Sequence, residues 1–173
     1  MPSLLRLTYA SRARFDDVNG SAGIHPEVAR ILIQSRRNNP RRGLVGALYF
    51  GDGCFFQCLE GPQEAVEALY QRLHGDPRHG ELRVLSREFV SSPSFSSWSM
   101  KLVPNAQEVQ ALMTRHGRTA FDPYSFDESL RVAMVQLLLR GADAALPPLP
   151  DEPASEAPMP AAMKAALALG LTG

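Results

Sequence analysis

Apolar and polar residues near the start of the chain alternate with the period of a strand. In SLLRLTYAS, residues 3–11, Leu5, Leu7 and Tyr9 fall on one face, because successive strand side chains point to opposite sides. This alternation predicts a strand with Tyr9 pointing into the core.

The next periodic segment has the spacing of a helix. Pro26 suits a first helical turn, and Asn38 and Asn39 precede Pro40, which stops the helix. The buried stripe of this helix ends in a small hydroxyl and comprises Val28, Ile31, Leu32 and Ser35.

Two apolar strands are predicted next, GLVGALYF (43–50) and CFFQCLEG (54–61), joined by a Gly-Asp-Gly hairpin turn. Both are apolar on both faces, which predicts a sheet covered on each side. A second helix is expected from Pro62 to Gly75, followed by strands over 82–90 and 98–103. In the last strand, Trp98, Met100 and Leu102 are expected to share a face.

The element order βαββαββ predicts an α+β fold, a ferredoxin-like sheet with two helices on one face. Helical periodicity over 105–116 and 126–141 predicts a hairpin of helices on the other face. We therefore divide the chain into a domain of residues 1–103, a helical hairpin of residues 104–143 and a flexible Pro- and Ala-rich tail of residues 144–173. A short terminal helix is expected over 161–171.

Composition narrows the class of partner. Eighteen Lys and Arg balance eighteen Asp and Glu, which predicts no binding to nucleic acid or to an anionic membrane surface. No run approaches the ~20 apolar residues of a spanning helix, so we expect a cytoplasmic protein. Cys54 and Cys58 have no metal-ligand spacing, which predicts buried free thiols and no metal site.

Gln57 is a polar residue inside the apolar strand 54–61. A buried primary amide is costly unless its donors and acceptors find partners. We therefore expect an uncharged hydrogen-bonding group beside Gln57.

Six short motifs occur in a fixed order between residues 4 and 103. They are L-x-Y-x-S in the first strand, S-x-x-N-N at the end of the first helix, G-x-x-G-x-L-x-x and F-x-Q-x-L-E-G in the hairpin strands, D-x-R-H after the second helix, and W-x-M in the last strand. No single motif is specific, and each residue alone is an ordinary core or helix-end residue. Together they resemble the BLUF domains, blue-light receptors that use a flavin, normally FAD.

The resemblance implies a role for each matching residue. Tyr9 matches the photochemical electron donor, Gln57 the amide between that phenol and the flavin, and Trp98 and Met100 a pair that exchanges places beside the glutamine and relays the signal. The cofactor-binding residues implied are Ile31, Ser35, Asn38, Asn39, Gln57, Leu73, Asp76, Arg78 and His79. The cofactor implied is FAD, with FMN as the alternative.

The resemblance also implies a function: a blue-light photoreceptor, not an enzyme. Electron and proton transfer from Tyr9 rearranges the hydrogen bonds of Gln57, by rotation or tautomerisation, and the change passes through the fifth strand and the helical hairpin. With no effector domain fused, we expect output to a separate signalling protein, and by analogy a homo-oligomer. Two alternatives remain, a flavin-free interaction module and an acylphosphatase-like hydrolase that uses Arg36 and Asn39.

Overall fold

The computed structural model describes residues 3–16, 23–96, 98–103 and 105–144. Five strands form one sheet: β1 (Leu4–Ala13), β2 (Val45–Gly51), β3 (Cys54–Pro62), β4 (His79–Val90) and β5 (Lys101–Leu102). The α-helices are α1 (Pro26–Asn38), α2 (Gln63–Leu73), α3 (Ala106–Arg115) and α4 (Glu128–Arg140). Single 3-10 turns follow α1 at Pro40–Arg42 and precede α4 at Pro123–Ser125.

The sheet has the strand order β4-β1-β3-β2-β5. The first four strands pair antiparallel, whereas β5 joins the edge of β2 in a parallel arrangement. The strands β2 and β3 approach so closely at Gly46 that a Cβ atom there would clash with the Cys58 carbonyl oxygen. The predicted α+β architecture is confirmed.

Each face of the sheet carries a separate hydrophobic core, as the two-sided apolar strands predicted. On one side, called the α1/α2 face, Leu5, Leu7 and Tyr9 of β1 pack with Val28 and Leu32 of α1. On the opposite side, the α3/α4 face, the core is formed by the other faces of β2 and β3 with the two C-terminal helices. Its helical members include Leu112, Met113, Leu130, Met134, Leu137 and Leu138.

Several predicted element bounds need correction. The fourth strand begins at His79 rather than at residue 82. Pro62 is the last residue of β3 and the cap of α2, so that helix begins at Gln63 and ends at Leu73. The fifth strand is two residues long rather than six, because only Ala47 and Leu48 of β2 pair with it.

Several predictions fall on residues outside the described ranges. These are the tail from residue 145 onward, its terminal helix at 161–171, and residues 17–22 of the loop after β1. The boundaries of the three segments also stay predictions. In the described ranges, no helix combines the length and the apolar character needed to cross a membrane.

Candidate functional site

Tyr9 and Gln57 lie side by side on the adjacent strands β1 and β3. They are direct partners in the antiparallel register of β1 and β3, and both point to the α1/α2 face. The Tyr9 hydroxyl donates a hydrogen bond to Gln57 Oε1. The prediction of an uncharged polar partner beside Gln57 is therefore confirmed, and the partner is the phenol.

Burial keeps the Tyr9 phenol neutral. Tyr9 is fully buried, and loss of solvent raises its pKa far above the usual value, with Tyr70 and Asp76 adding to the effect. The ring of Tyr70, on α2, meets the Tyr9 ring edge-on with 5.3 Å between centroids. Tyr9 is thus a proton donor with one defined acceptor at neutral pH.

The other end of the Gln57 amide meets a thioether. Gln57 Nε2 lies 3.6 Å from Met100 Sδ, and sulfur is a weak acceptor. Met100 is buried in the α1/α2 core just before β5. The primary amide therefore has one strong partner, the phenol, and one weak partner, the sulfur.

Trp98 does not share a face with Met100, contrary to the sequence prediction. It packs against the α3/α4 core, where the Lys101 ammonium lies 4.0 Å from its ring centroid. The reason is that residues 98–100 precede the two-residue strand and do not have strand backbone, so alternation does not hold there. In this structure Met100, and not Trp98, is the neighbour of Gln57.

A cleft of about 280 Å³ opens on the α1/α2 face, between α1, α2 and the start of β4. It brings together eight of the nine residues predicted to bind a cofactor: Ile31, Ser35, Asn38, Asn39, Leu73, Asp76, Arg78 and His79. Gln57, the ninth, is 5% exposed and is not part of the cleft lining. Aliphatic and polar groups therefore meet in one recess.

One wall of the cleft is held in place by an ion pair. Asp76 accepts hydrogen bonds from the guanidinium and the backbone N–H of Arg78, and these bonds lower the pKa of the Asp76 carboxyl group. Arg78 also donates to Gln34 Oε1 of α1 at 2.8 Å. The segment before β4 is thereby fastened to α1.

His79 carries an unused hydrogen-bonding atom. Its Nδ1 is hydrogen-bonded to the Ser11 hydroxyl at 2.9 Å, whereas its buried Nε2 has no partner among the described residues. Burial lowers the His79 pKa to about 4, so the ring is neutral at physiological pH. An unsatisfied buried nitrogen beside a cleft is an expected feature of a ligand site.

Arg36 and Asn39 are engaged in holding the segment before β5. Asn39 Nδ2 donates to the Ser99 carbonyl at 2.7 Å, and Arg36 Nε donates to the Met100 carbonyl at 2.9 Å. Arg36 also pairs with Asp143. These contacts count against the hydrolase alternative, which requires both side chains to hold an acyl phosphate.

The cysteines are free and buried, as predicted, and lie on the α3/α4 side of the sheet. Burial raises the pKa of the Cys58 thiol to about 12, so it is not a reactive thiolate. In the parts of the chain that the structure describes, no group of three His, Cys, Asp or Glu side chains could hold a metal ion.

Sequence reasoning missed several residues of the cleft: Gln34, Arg42, Leu69 and Arg72. Leu69 could have been found, because it precedes Leu73 by one helical turn on the same stripe of α2. Gln34, Arg42 and Arg72 gave no distinguishing signal, since exposed polar residues are ordinary on helix surfaces.

The residues present fit a flavin. A flavin has a flat apolar ring with a polar rim, and the cleft offers aliphatic Ile31 and Leu73 together with the amide of Asn39. The unpartnered His79 Nε2 supplies a further polar group that a ligand would satisfy.

Comparison with known proteins identifies the family of the chain. The family model described as "BLUF: Sensors of blue-light using FAD" matches residues 4–101. The "BlsA photo-activated state" structure is 30% identical with a TM-score of 0.74, over 83% of this chain and 99% of that chain. The dark-state structure of BlrB, a BLUF protein, is 28% identical with a TM-score of 0.64, over 80% of this chain and 97% of that one.

A curated relative matches over a shorter part of its length. The "Blue light- and temperature-regulated antirepressor BluF" of Escherichia coli (strain K12) is 29% identical over 99 residues, which are 57% of this chain. The match spans only 23% of that relative's length. The family model covers more than half of the chain and the solved structures named above are BLUF proteins, and the chain therefore belongs to the BLUF family, sensors of blue light that use FAD.

Proposed function

We propose that the chain is a photoreceptor in which Tyr9 and Gln57 carry the photochemistry and which signals to a separate protein. The observation that supports this most directly is the buried hydrogen bond from the Tyr9 hydroxyl to Gln57 Oε1, on the same face of the sheet as the cleft.

Bound FAD supplies blue-light absorption and, once excited, an oxidising strength that no side chain of the protein has. Ile31 and Leu73 would provide apolar walls for its ring, Asn39 would provide an amide for its polar rim, and Gln57, on the same face of the sheet, would offer a second amide. Asp76, Arg78 and His79 line the end of the cleft at the start of β4, where they would bind the polar chain of the cofactor.

Tyr9 would give up one electron to the excited flavin and one proton to Gln57, and would regain both. Its hydroxyl proton is already directed at Gln57 Oε1, so the proton leaves along an existing hydrogen bond. Loss of an electron makes the phenol proton strongly acidic. The proton can therefore leave oxidised Tyr9, although burial raises the pKa of the unoxidised residue. The return of both particles leaves Tyr9 chemically unchanged.

Gln57 retains the change, by rotation or by tautomerisation of its amide. Rotation by a half turn gives up both the bond that Gln57 Oε1 accepts from the Tyr9 hydroxyl and the weak N–H···S contact to Met100, and it turns Nε2 toward the phenol oxygen. The amide then presents a donor where it presented an acceptor, and the hydrogen bonding of its surroundings differs from that in the dark.

Output passes through Met100 and β5 to the α3/α4 hairpin and from there to a separate partner. Self-association remains a prediction, which sedimentation velocity in the dark and under illumination would test.

The test is the visible absorption spectrum in the dark and after a blue-light pulse. We expect a flavin spectrum that shifts slightly to the red and recovers in the dark. Gln57→Leu should retain flavin and lose the shift. Gln71→Leu, which removes an exposed amide of α2 outside the cleft, is the matched control and should behave as the wild type.

The alternatives give different spectra. A protein that stays colourless after reconstitution with FAD would support the flavin-free interaction module. A flavin spectrum with no light-induced shift in the wild type would refute the assigned roles of Tyr9 and Gln57.

A further inference from the structure

The outer edge of β5 is covered by the chain that follows α4. Leu102 N–H donates to Asp143 Oδ1 at 3.0 Å, and Ala144 N–H donates to the Leu102 carbonyl at 2.8 Å. On the inner side, Val103 N–H donates to the Leu48 carbonyl of β2 at 3.1 Å. The edge of the sheet is therefore completed by two residues that lie beyond the last helix.

Arg36 joins this edge to the end of α1. Its Nη2 lies 2.8 Å from each carboxylate oxygen of Asp143, and its Nε donates to the Met100 carbonyl at 2.9 Å. Arg36 follows Ser35, which lines the cleft. Four residues thus form one connected group, the Arg36–Asp143 clamp: Arg36, Met100, Leu102 and Asp143.

The clamp holds Met100 by its backbone while its side chain touches the photochemical amide. Met100 Sδ is the weak partner of Gln57 Nε2. A thioether can accept from an N–H but cannot donate to a carbonyl oxygen, so an amide turned by half a rotation no longer has a favourable contact with it. Movement of Met100 away from Gln57 pulls on the carbonyl that Arg36 holds.

The Arg36–Asp143 clamp stabilises the edge of β5 by a modest free energy. The Arg36 and Asp143 side chains are 29% and 32% exposed, so solvent screens their attraction. Arg36 and Asp143 stabilise the edge of β5 through a network of bonds, because Asp143 binds a guanidinium and a strand N–H at the same time. Such partly exposed hydrogen bonds open at low cost compared with the buried core.

A second attachment on the other face remains when the clamp opens. Lys101 Nζ donates to the Leu139 carbonyl in the last turn of α4 at 3.0 Å. Lys101 is 1% exposed and is shielded by Trp98. Opening of the clamp therefore frees the segment around Asp143 and Ala144 while α4 stays on the sheet.

We propose that Arg36 and Asp143 are positioning residues that hold Met100 against Gln57 in the dark, and that the rearranged amide opens the clamp and releases the chain after α4 from β5. This inference rests on the proposed function, because the trigger is the change at Gln57. Coupling is reciprocal, so a weakened clamp also changes how readily the amide returns to its dark arrangement.

Hydrogen exchange of single backbone amides in the flavin-loaded protein tests the opening. In the wild type, the Leu102 and Ala144 amides should be protected in the dark and lose about tenfold or more of that protection under blue light. The Val103 amide, bonded to β2, should stay protected in both states and serves as the internal control.

Asp143→Asn tests the role of the carboxylate. The asparagine keeps one oxygen for the Leu102 N–H but turns an NH₂ group toward Arg36 Nη2, so the clamp weakens and Leu102 and Ala144 should lose protection already in the dark. Recovery of the dark spectrum should slow by between about twofold and about thirtyfold, because the clamp favours the dark arrangement. Glu64→Gln removes the same charge from an exposed site on α2 and should change neither quantity.

The outcomes separate this inference from the proposed function. A normal spectral shift with unchanged Leu102 and Ala144 protection in the light would overturn the clamp and leave the photochemistry intact. Unchanged dark protection and recovery in Asp143→Asn would do the same. The absence of any spectral shift in the wild type would overturn both.

Discussion

Replacement of Glu60 by Gln should be one of the most destabilising single-charge changes in the protein. Glu60, in β3, is fully buried. Its Oε1 accepts from Arg6 Nε at 2.7 Å, and its Oε2 accepts from the backbone N–H groups of Ser94 and Phe95 at 2.6 and 3.0 Å. One carboxylate therefore fixes the loop that leads to Trp98 and β5.

The size of the effect follows from what the amide cannot replace. A glutamine keeps one acceptor oxygen, but its NH₂ group faces a donor on the other side, so at least one buried N–H loses its partner. Removal of one partner from a buried charge pair costs about 3–5 kcal/mol. Arg6 keeps 19% exposure and some hydration, which favours the lower end, about 3 kcal/mol.

Urea unfolding of the flavin-loaded protein in the dark measures this difference. Glu88→Gln is the matched control, because Glu88 contacts the same Arg6 at 3.6 Å but is 53% exposed. The loss of unfolding free energy in Glu88→Gln should stay below about 1 kcal/mol. Unfolding free energies of the two variants that agree within about 1 kcal/mol would refute the reasoning.

Three further results are expected. Tyr9→Phe removes the hydroxyl that donates to Gln57 Oε1 and that is proposed to supply the proton, so the light-induced absorption shift should disappear in difference spectra. Flavin should remain bound, because Tyr9 is not part of the cleft lining. Because burial depresses the His79 pKa from 6.5 to about 4, the unfolded chain binds the proton first. Stability should therefore fall by up to about 3 kcal/mol between pH 6.5 and 4, and a flatter profile for His79→Gln in urea unfolding checks this. Gly46→Ala places a methyl group against the Cys58 carbonyl, and a melting temperature equal to that of the wild type would contradict the close approach of β2 and β3.

The pairing of Tyr9 with Gln57 could be predicted in part from the sequence. Strand alternation placed Tyr9 inward, and the cost of a buried amide required a polar neighbour for Gln57. The register that makes them direct partners depends on how β1 and β3 align over residues far apart in the chain, and no local pattern specifies that.

The position of Trp98 could not be obtained from periodicity. Alternation holds only where the backbone is extended, and the bend before β5 is stabilised by distant groups such as the Asn39 amide and the Arg36 guanidinium. The carboxylates of Glu60 and Asp143 were missed for the same reason, because their partners are 34 to 107 residues away in sequence.

The parallel pairing of β5 involves only Lys101 and Leu102, whereas β1 and β3 pair from Leu4 to Arg12. Local opening free energies follow the number of bonds that must break together, so the least cooperative part of the sheet lies beside the amide proposed to switch. A small input at Gln57 can then displace an edge without loosening the strands that hold the phenol. Under the proposed mechanism, the strands that must stay rigid for photochemistry are therefore distinct from the edge that moves in signalling.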